Sequence, residues 1–213
     1  MSIWTCKVLA GALFLALGSA CVPVPELNSS NGALAEPLTT AKLSRGLFVS
    51  TPDGYCLDRT SLTREFALIA RCDKLGAKGP SFGTPLAVIT VTSPPDEVEA
   101  TLPKADALIG DAESLLDSRR ESKLQLVKIS GSAPADGLSG RYWRAAGLVG
   151  NQVLGLAIYP VANGPDLDEE AVVLLRETFE RSSETSISAA VAAQSAEDKP
   201  KKTRKGPFAG LFN

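Results

Sequence analysis

The sequence predicts an α+β domain, an antiparallel β-sheet with helices packed on it, closed by one disulfide. Three observations carry this. Seven short apolar runs, rich in β-branched or aromatic residues and bounded by Gly, Pro or Asp, fall between Leu47 and Ile158. A long helical periodicity follows them from Leu167 to Arg181. Cys56 and Cys72 lie in or beside two of the runs.

Leu47-Phe48-Val49 opens the strand series and is closed by the turn Pro52-Asp53-Gly54. Tyr55-Cys56-Leu57 and Phe66–Ala70 follow, then Leu86–Val91, with Pro94-Pro95 after it. Leu124–Ile129 reads as apolar residues alternating with Gln125 and Lys128. Arg141–Leu148 and Val153–Ile158 flank Val149-Gly150-Asn151-Gln152, a hairpin turn. Helix signals are fewer. Ser93 precedes Pro94-Pro95-Asp96-Glu97, residues suited to a first helical turn, and Pro103 ends or kinks that helix. A second short helix is predicted over Asp106–Leu116. The strongest is Leu167–Arg181, with Val172, Leu175 and Phe179 on one face and Asp166, Asp168, Glu169 and Glu170 at its positive end. That acidic cluster reads as a complement to the helix dipole.

The first 20 residues hold Lys7 and an apolar block, Val8–Leu17, before Gly18-Ser19-Ala20-Cys21. A block of about ten residues is too short for a bilayer, which takes about 20, and matches an export signal. Two cleavage readings stand. Gly18 and Ala20 suit an ordinary signal peptidase. Gly18-Ser19-Ala20-Cys21 also resembles a bacterial lipobox, whose cysteine receives a diacylglyceryl group and palmitate-type acyl chains, although Gly18 stands where Leu is usual. Cysteine parity favours the lipobox. With Cys6 removed in the signal, Cys21, Cys56 and Cys72 remain, and lipid on Cys21 leaves the other two to pair. The loop they close, about 15 residues, corresponds to roughly 3 kcal/mol in the chain-entropy model. No Cys-x-x-Cys is present, so the bond is read as structural.

Four parts follow: residues 1–20 as signal, 21–43 as a flexible tether, 44–184 as the folded domain and 185–213 as a disordered basic tail, within which Ser188–Gln194 could extend a helix. The folded stretch, about 140 residues, is one ordinary domain. The net charge of −2 hides an asymmetry. Between Val22 and Asp198 there are 16 basic and 24 acidic residues, whereas Lys199, Lys201, Lys202, Arg204 and Lys205 crowd the tail. An acidic body argues against nucleic acid as a partner.

The chain contains no histidine, which excludes Ser-His-Asp and Cys-His nucleophile activation and the usual histidine-bearing zinc sites. It has no P-loop and no Gly-x-Gly-x-x-Gly, and no residue pattern implies a cofactor or a metal. Asp53 and Asp58 flank Cys56, but a turn aspartate and a strand-end aspartate are common structural features. Tyr142 and Trp143 read first as core aromatics and second as the lining of a ligand groove.

The stretches Arg45–Val49, Pro52–Asp58, Phe66–Cys72 and Gly137–Ala145, with the hairpin and helix after them, resemble an uncharacterised family of alphaproteobacterial envelope proteins. The order of elements is also loosely similar to the PsbP/Mog1-like layout. The resemblance implies an exported domain with a Cys56–Cys72 pair and transfers no catalytic residue. The expected function is a non-catalytic envelope lipoprotein, anchored through Cys21 and facing the periplasm, with the outer membrane as its expected place. It would bind an envelope protein or polymer. A periplasmic small-ligand binder using Tyr142 and Trp143 is the second reading, and a histidine-free hydrolase using paired acids is the third.

In the tail, the cations precede Phe208 and Phe212. Each cation near an anionic membrane surface is worth about 1 kcal/mol, and the aromatics suit shallow insertion. Deleting residues 199–213 from the unacylated protein is expected to abolish most co-sedimentation with anionic liposomes. Unchanged binding would refute a membrane contact by the tail.

Overall fold

Alternate side chains of a strand share a face, so each apolar run offers a row of side chains to a core. In the computed structural model, residues 35–79, 83–94 and 100–197 are described, and nine strands form among them. A small hairpin joins β1 (Thr40–Lys42) to β2 (Phe48–Ser50). The other seven are β3 (Tyr55–Leu57), β4 (Phe66–Arg71), β5 (Ala87–Thr92), β6 (Ser114–Arg120), β7 (Leu124–Ser130), β8 (Arg141–Val149) and β9 (Gln152–Pro160). They make one antiparallel sheet in the order β3-β4-β5-β9-β8-β7-β6. A single α-helix, α1 (Asp168–Glu197), closes the described chain.

The core lies on one face of the large sheet. Ile69, Ile89, Leu126, Leu154 and Ile158 from the strands meet Ala171, Val172, Leu175 and Phe179 from α1. Leu43, Leu47 and Val49 of the hairpin complete the same cluster. The helix sits close because Gly147 lacks a side chain. A Cβ there would stand 2.2 Å from the Phe179 ring.

The hairpin and α1 are joined by hydrogen bonds that replace a strand. Val49 pairs with Ala41 of β1, so the N–H groups of Phe48 and Ser50 face the opposite edge. The Ser186 hydroxyl accepts from Phe48 N–H at 2.8 Å, and the Ser182 hydroxyl accepts from Ser50 N–H at 2.9 Å. The spacings match, since one helical turn of four residues rises about 6 Å and two strand residues span about 6.7 Å. Thr185 adds a hydroxyl contact to Ser50 at 3.0 Å.

The Cys56–Cys72 disulfide is present, with Cα atoms 4.8 Å apart. It staples the edge strand β3 to the end of β4. The outer side of β3 is covered as well: Leu57 N–H donates to Leu38 C=O at 2.7 Å, and Ala35 bridges to Ala77. At the far edge, β6 carries a bulge between Leu115 and Asp117, and the Asp117 carboxylate accepts from Ser118 N–H at 2.7 Å. Bulges and charges of this kind blunt an edge against further pairing.

The α+β class and the seven predicted strands are found, but three expectations need correction. Residues 106–116 are not a helix. One 3₁₀ turn, Ala105–Leu108, is followed by β6. The Glu113 carboxylate takes the Gly110 N–H at 2.6 Å, and pairing with β7 overrides the helix-forming Ala, Leu and Glu content. The tether is partly folded, since β1 begins at Thr40 and Leu43 is buried. The tail is partly helical, since α1 runs to Glu197. Within β7 the polar Gln125 and Lys128 do not face solvent. Both are buried, because each face of β7 is covered. Most of the helix expected after Ser93, together with Cys21 and the tail residues from Lys199 to Phe212, lies outside the described residues.

Replacing both Ser182 and Ser186 by alanine should strand two buried N–H groups of β2. The expected loss of unfolding free energy is about 2–4 kcal/mol, read from urea melts. A loss below about 0.5 kcal/mol would show that the seam carries little stability.

Candidate functional site

Tyr142 and Trp143 are neighbours on β8, so the pleat sends them to opposite faces. They cannot line one groove, which corrects the expectation of a shared ligand site. Trp143 is 2% exposed and belongs to the core under α1. Tyr142 lies on the other face with Val127 and Ile129.

On the α1 face, the acids at the helix start are fastened to the strands. Lys128, opposite Trp143 in the register, donates to Asp168 and lies 3.7 Å from Asp166. Arg119 of β6 grips Glu169 with both terminal nitrogens, at 2.7 and 2.9 Å. Its guanidinium lies over the Trp143 ring, 4.9 Å from the centroid, a cation–π arrangement. Lys128 holds the Asp168 carboxyl below its ordinary range against the opposing effect of burial. The Trp143 indole N–H is buried and meets no acceptor at bonding geometry. The cluster anchors a helix to a sheet. Among the described residues no group of three or more His, Cys, Asp or Glu is placed to hold a metal.

On the opposite face, Glu113 collects four donors. Tyr142 O–H donates to Oε1, Gly110 N–H donates to Oε2 at 2.6 Å, and Arg144 reaches the two oxygens at 3.0 and 3.1 Å. Arg144 also donates to Leu108 C=O at 2.6 Å, and the Tyr142 and Tyr159 rings pack with centroids 4.8 Å apart. Burial alone would raise the Glu113 pKa, but the donors outweigh it and the net shift is downward. The Tyr142 hydroxyl is pushed up to about 12, first by burial and then by Glu113. Glu113 is therefore a carboxylate locked in its charged form, far from the neutral-pH poise a general acid or base needs. Asp53 faces Arg181 at 3.0 Å, and Asp58 accepts from Thr60 N–H at 3.0 Å, so the two acids near Cys56 serve separate local contacts.

Two concave surfaces stand out. The larger, of about 370 Å³, is a groove between the C-terminal half of α1 (Ala189, Ala190, Ala193), the β1–β2 turn and the β8–β9 turn. Beside it, Ile187 and Val191 are 49% and 57% exposed. The second, of about 330 Å³, lies on the sheet face away from α1 and includes Thr90, Thr92, Arg144 and Tyr159. Neither was legible as a site in the sequence. A Thr-x-Thr on one strand opposite a Gly-x-Ala on another becomes a trough only once register is known.

No family model matches the chain, and no curated protein matches it. Among the described residues no helix is long and apolar enough to cross a membrane.

Glu113, Glu121 and Asp168 all have pKa values lowered in the fold. The stability they contribute is complete above the unfolded carboxylate range, at about pH 5 and higher, and is lost as pH falls through the folded values. Glu121 and Asp168 are well solvated, so Glu113, 17% exposed, should dominate. Glu113→Gln is expected to flatten the acid limb of the stability–pH curve and to cost about 2 kcal/mol at pH 7, since Arg144 is left uncompensated. An unchanged acid limb would contradict this.

Proposed function

We propose that the chain is an exported lipoprotein of the bacterial envelope, held at the membrane through Cys21 and working as a binding or assembly module with an envelope protein. The observation that carries the reading is the free end of α1. Among the described residues Ser186 is the last that the helix buries, yet the helix continues to Glu197. Exposed Ile187 and Val191 stand there beside an apolar groove. A surface of this kind is a signature of contact with another macromolecule. The Cys56–Cys72 bond fits an oxidising compartment, in line with the export signal. The resemblance to alphaproteobacterial envelope proteins supports the same compartment. Outer-membrane placement belongs to this reading, and so does contact of the basic tail with anionic lipid.

The test combines mass and crosslinking. Intact-mass spectrometry of the mature protein should find residues 1–20 removed and Cys21 carrying diacylglyceryl and acyl groups. A photo-crosslinking residue at Ile187, introduced in living cells, should give one discrete adduct with an envelope protein. An unmodified Cys21 would overturn the anchor, and no adduct would overturn the binding role.

A further inference from the structure

The face of the large sheet away from α1 is built in rows, which the register defines. Thr92, Gly155 and Ala146 form one row across β5, β9 and β8, and Thr90, Ala157 and Arg144 form the next. The centre of both rows holds small residues, so the sheet is hollow there. Gly155 leaves room for the Thr92 hydroxyl, which a Cβ at that position would approach to 2.5 Å. Pro103 and Leu108 form part of the wall opposite. Ala146 and Ala157 are buried although α1 lies on the other face. The trough, open to solvent where Thr92 is exposed, has a volume of about 330 Å³, within the range of roughly 300–1,000 Å³ that small-molecule sites occupy.

Its polar groups have one character. Thr90, Thr92 and Tyr159 line the cavity, and their hydroxyls make no hydrogen bond among the described residues. Each can donate a hydrogen bond as well as accept one. Arg144 uses its terminal nitrogens on Glu113, Leu108 and Tyr142. Its charge is therefore already answered, and no carboxylate residue lines the cavity. No lining side chain carries a carbonyl or carboxylate, so the acceptors that complement these hydroxyls as donors would come from the ligand. A compensated cation and apolar walls favour a ligand without net charge.

We propose that this cavity binds a neutral, mostly apolar small molecule whose carbonyl or ether oxygens accept hydrogen bonds from Thr90, Thr92 and Tyr159. The site lies on the opposite face from the Ile187 groove, so it stands or falls independently of the partner contact proposed above.

The test uses the full mature chain and the probe 6-propionyl-2-dimethylaminonaphthalene, a neutral naphthalene ketone with no hydrogen-bond donor. Its emission shifts to the blue in a dry site. Saturable binding tighter than about 100 μM is expected, together with a blue shift. Ala157→Leu, which fills the floor, should abolish it while thermal melts report an intact fold. Thr90→Val and Tyr159→Phe should each weaken it about fivefold, the usual effect of losing one hydrogen bond. These two variants keep volume, so they decide the matter even if Ala157→Leu fails to fold. Ile187→Asp should leave binding unchanged. Absence of saturable binding would overturn the proposal. So would full binding by Thr90→Val and Tyr159→Phe together, or loss confined to Ile187→Asp. An anionic naphthalene sulfonate that bound as tightly as the ketone would overturn the neutral-ligand assignment.

Discussion

Two serine hydroxyls, one turn apart on α1, take the place of a strand along the free edge of β2. The second layer of the molecule is joined along that seam. The constraint behind it is one of coverage. A sheet of seven strands is about 29 Å wide, and one helix covers only about 10 Å of that width. The chain solves this by pairing α1 with the β1–β2 hairpin, so that Leu43, Leu47 and Val49 continue the apolar surface that α1 begins. Without the seam, the hairpin would be a two-stranded ribbon of the kind that is marginal alone in water.

The same need explains the ionic contacts. At its N-terminal end, α1 meets β6 and β7, where strand residues are Arg119 and Lys128 rather than leucine or valine. Acidic residues in the first helical turn already suit the helix dipole. Here they also fix where the helix begins on the sheet, with Trp143 beneath Arg119 as the apolar part of the joint. The helix is thus held by charge at one end, by Phe179 against Gly147 in the middle and by hydroxyls towards the other end. The edges are treated in kind: β3 by the disulfide and the 35–39 segment, β6 by a bulge and an aspartate.

What the sequence made legible follows from this. Strands with an apolar row and clear turn residues were readable, down to the Gly150-Asn151 turn between β8 and β9. The first half of α1 was readable because Val172, Leu175 and Phe179 keep helical spacing. Its second half was readable only as a possible extension over Ser188–Gln194, because the buried face there is Ser182 and Ser186, which look like solvent-facing residues until β2 supplies N–H groups for their hydroxyls. β6 was missed for a similar reason. Leu115, Asp117 and Arg119 have no apolar alternation, and the strand exists through pairing with β7 and through the Arg119–Glu169 contact. Tyr142 and Trp143 were legible as core aromatics but not as residues of different faces. That distinction needs only the strand assignment and the pleat.

The two sides of the sheet are therefore unequal in what they leave free. The α1 face is consumed by packing: helix, hairpin and strands interlock, and the Lys128 and Arg119 contacts seal its end. Among the described residues the opposite face carries only the 3₁₀ turn Ala105–Leu108, packed on Val127, Ile129 and Tyr142. The Glu113–Arg144–Tyr142 group braces it at one side of the sheet, and small residues thin it at the centre. A binding role is compatible with this division even though the open surfaces borrow residues from the packing: Leu47, Phe48, Val149 and Ser186 at the groove, and Leu108, Arg144, Leu156 and Tyr159 at the cavity. Arg144 is the informative case. Its pairing with Glu113 removes the net charge a cavity-lining guanidinium would otherwise present, so the brace that stabilises this face also sets the polarity of the cavity beside it.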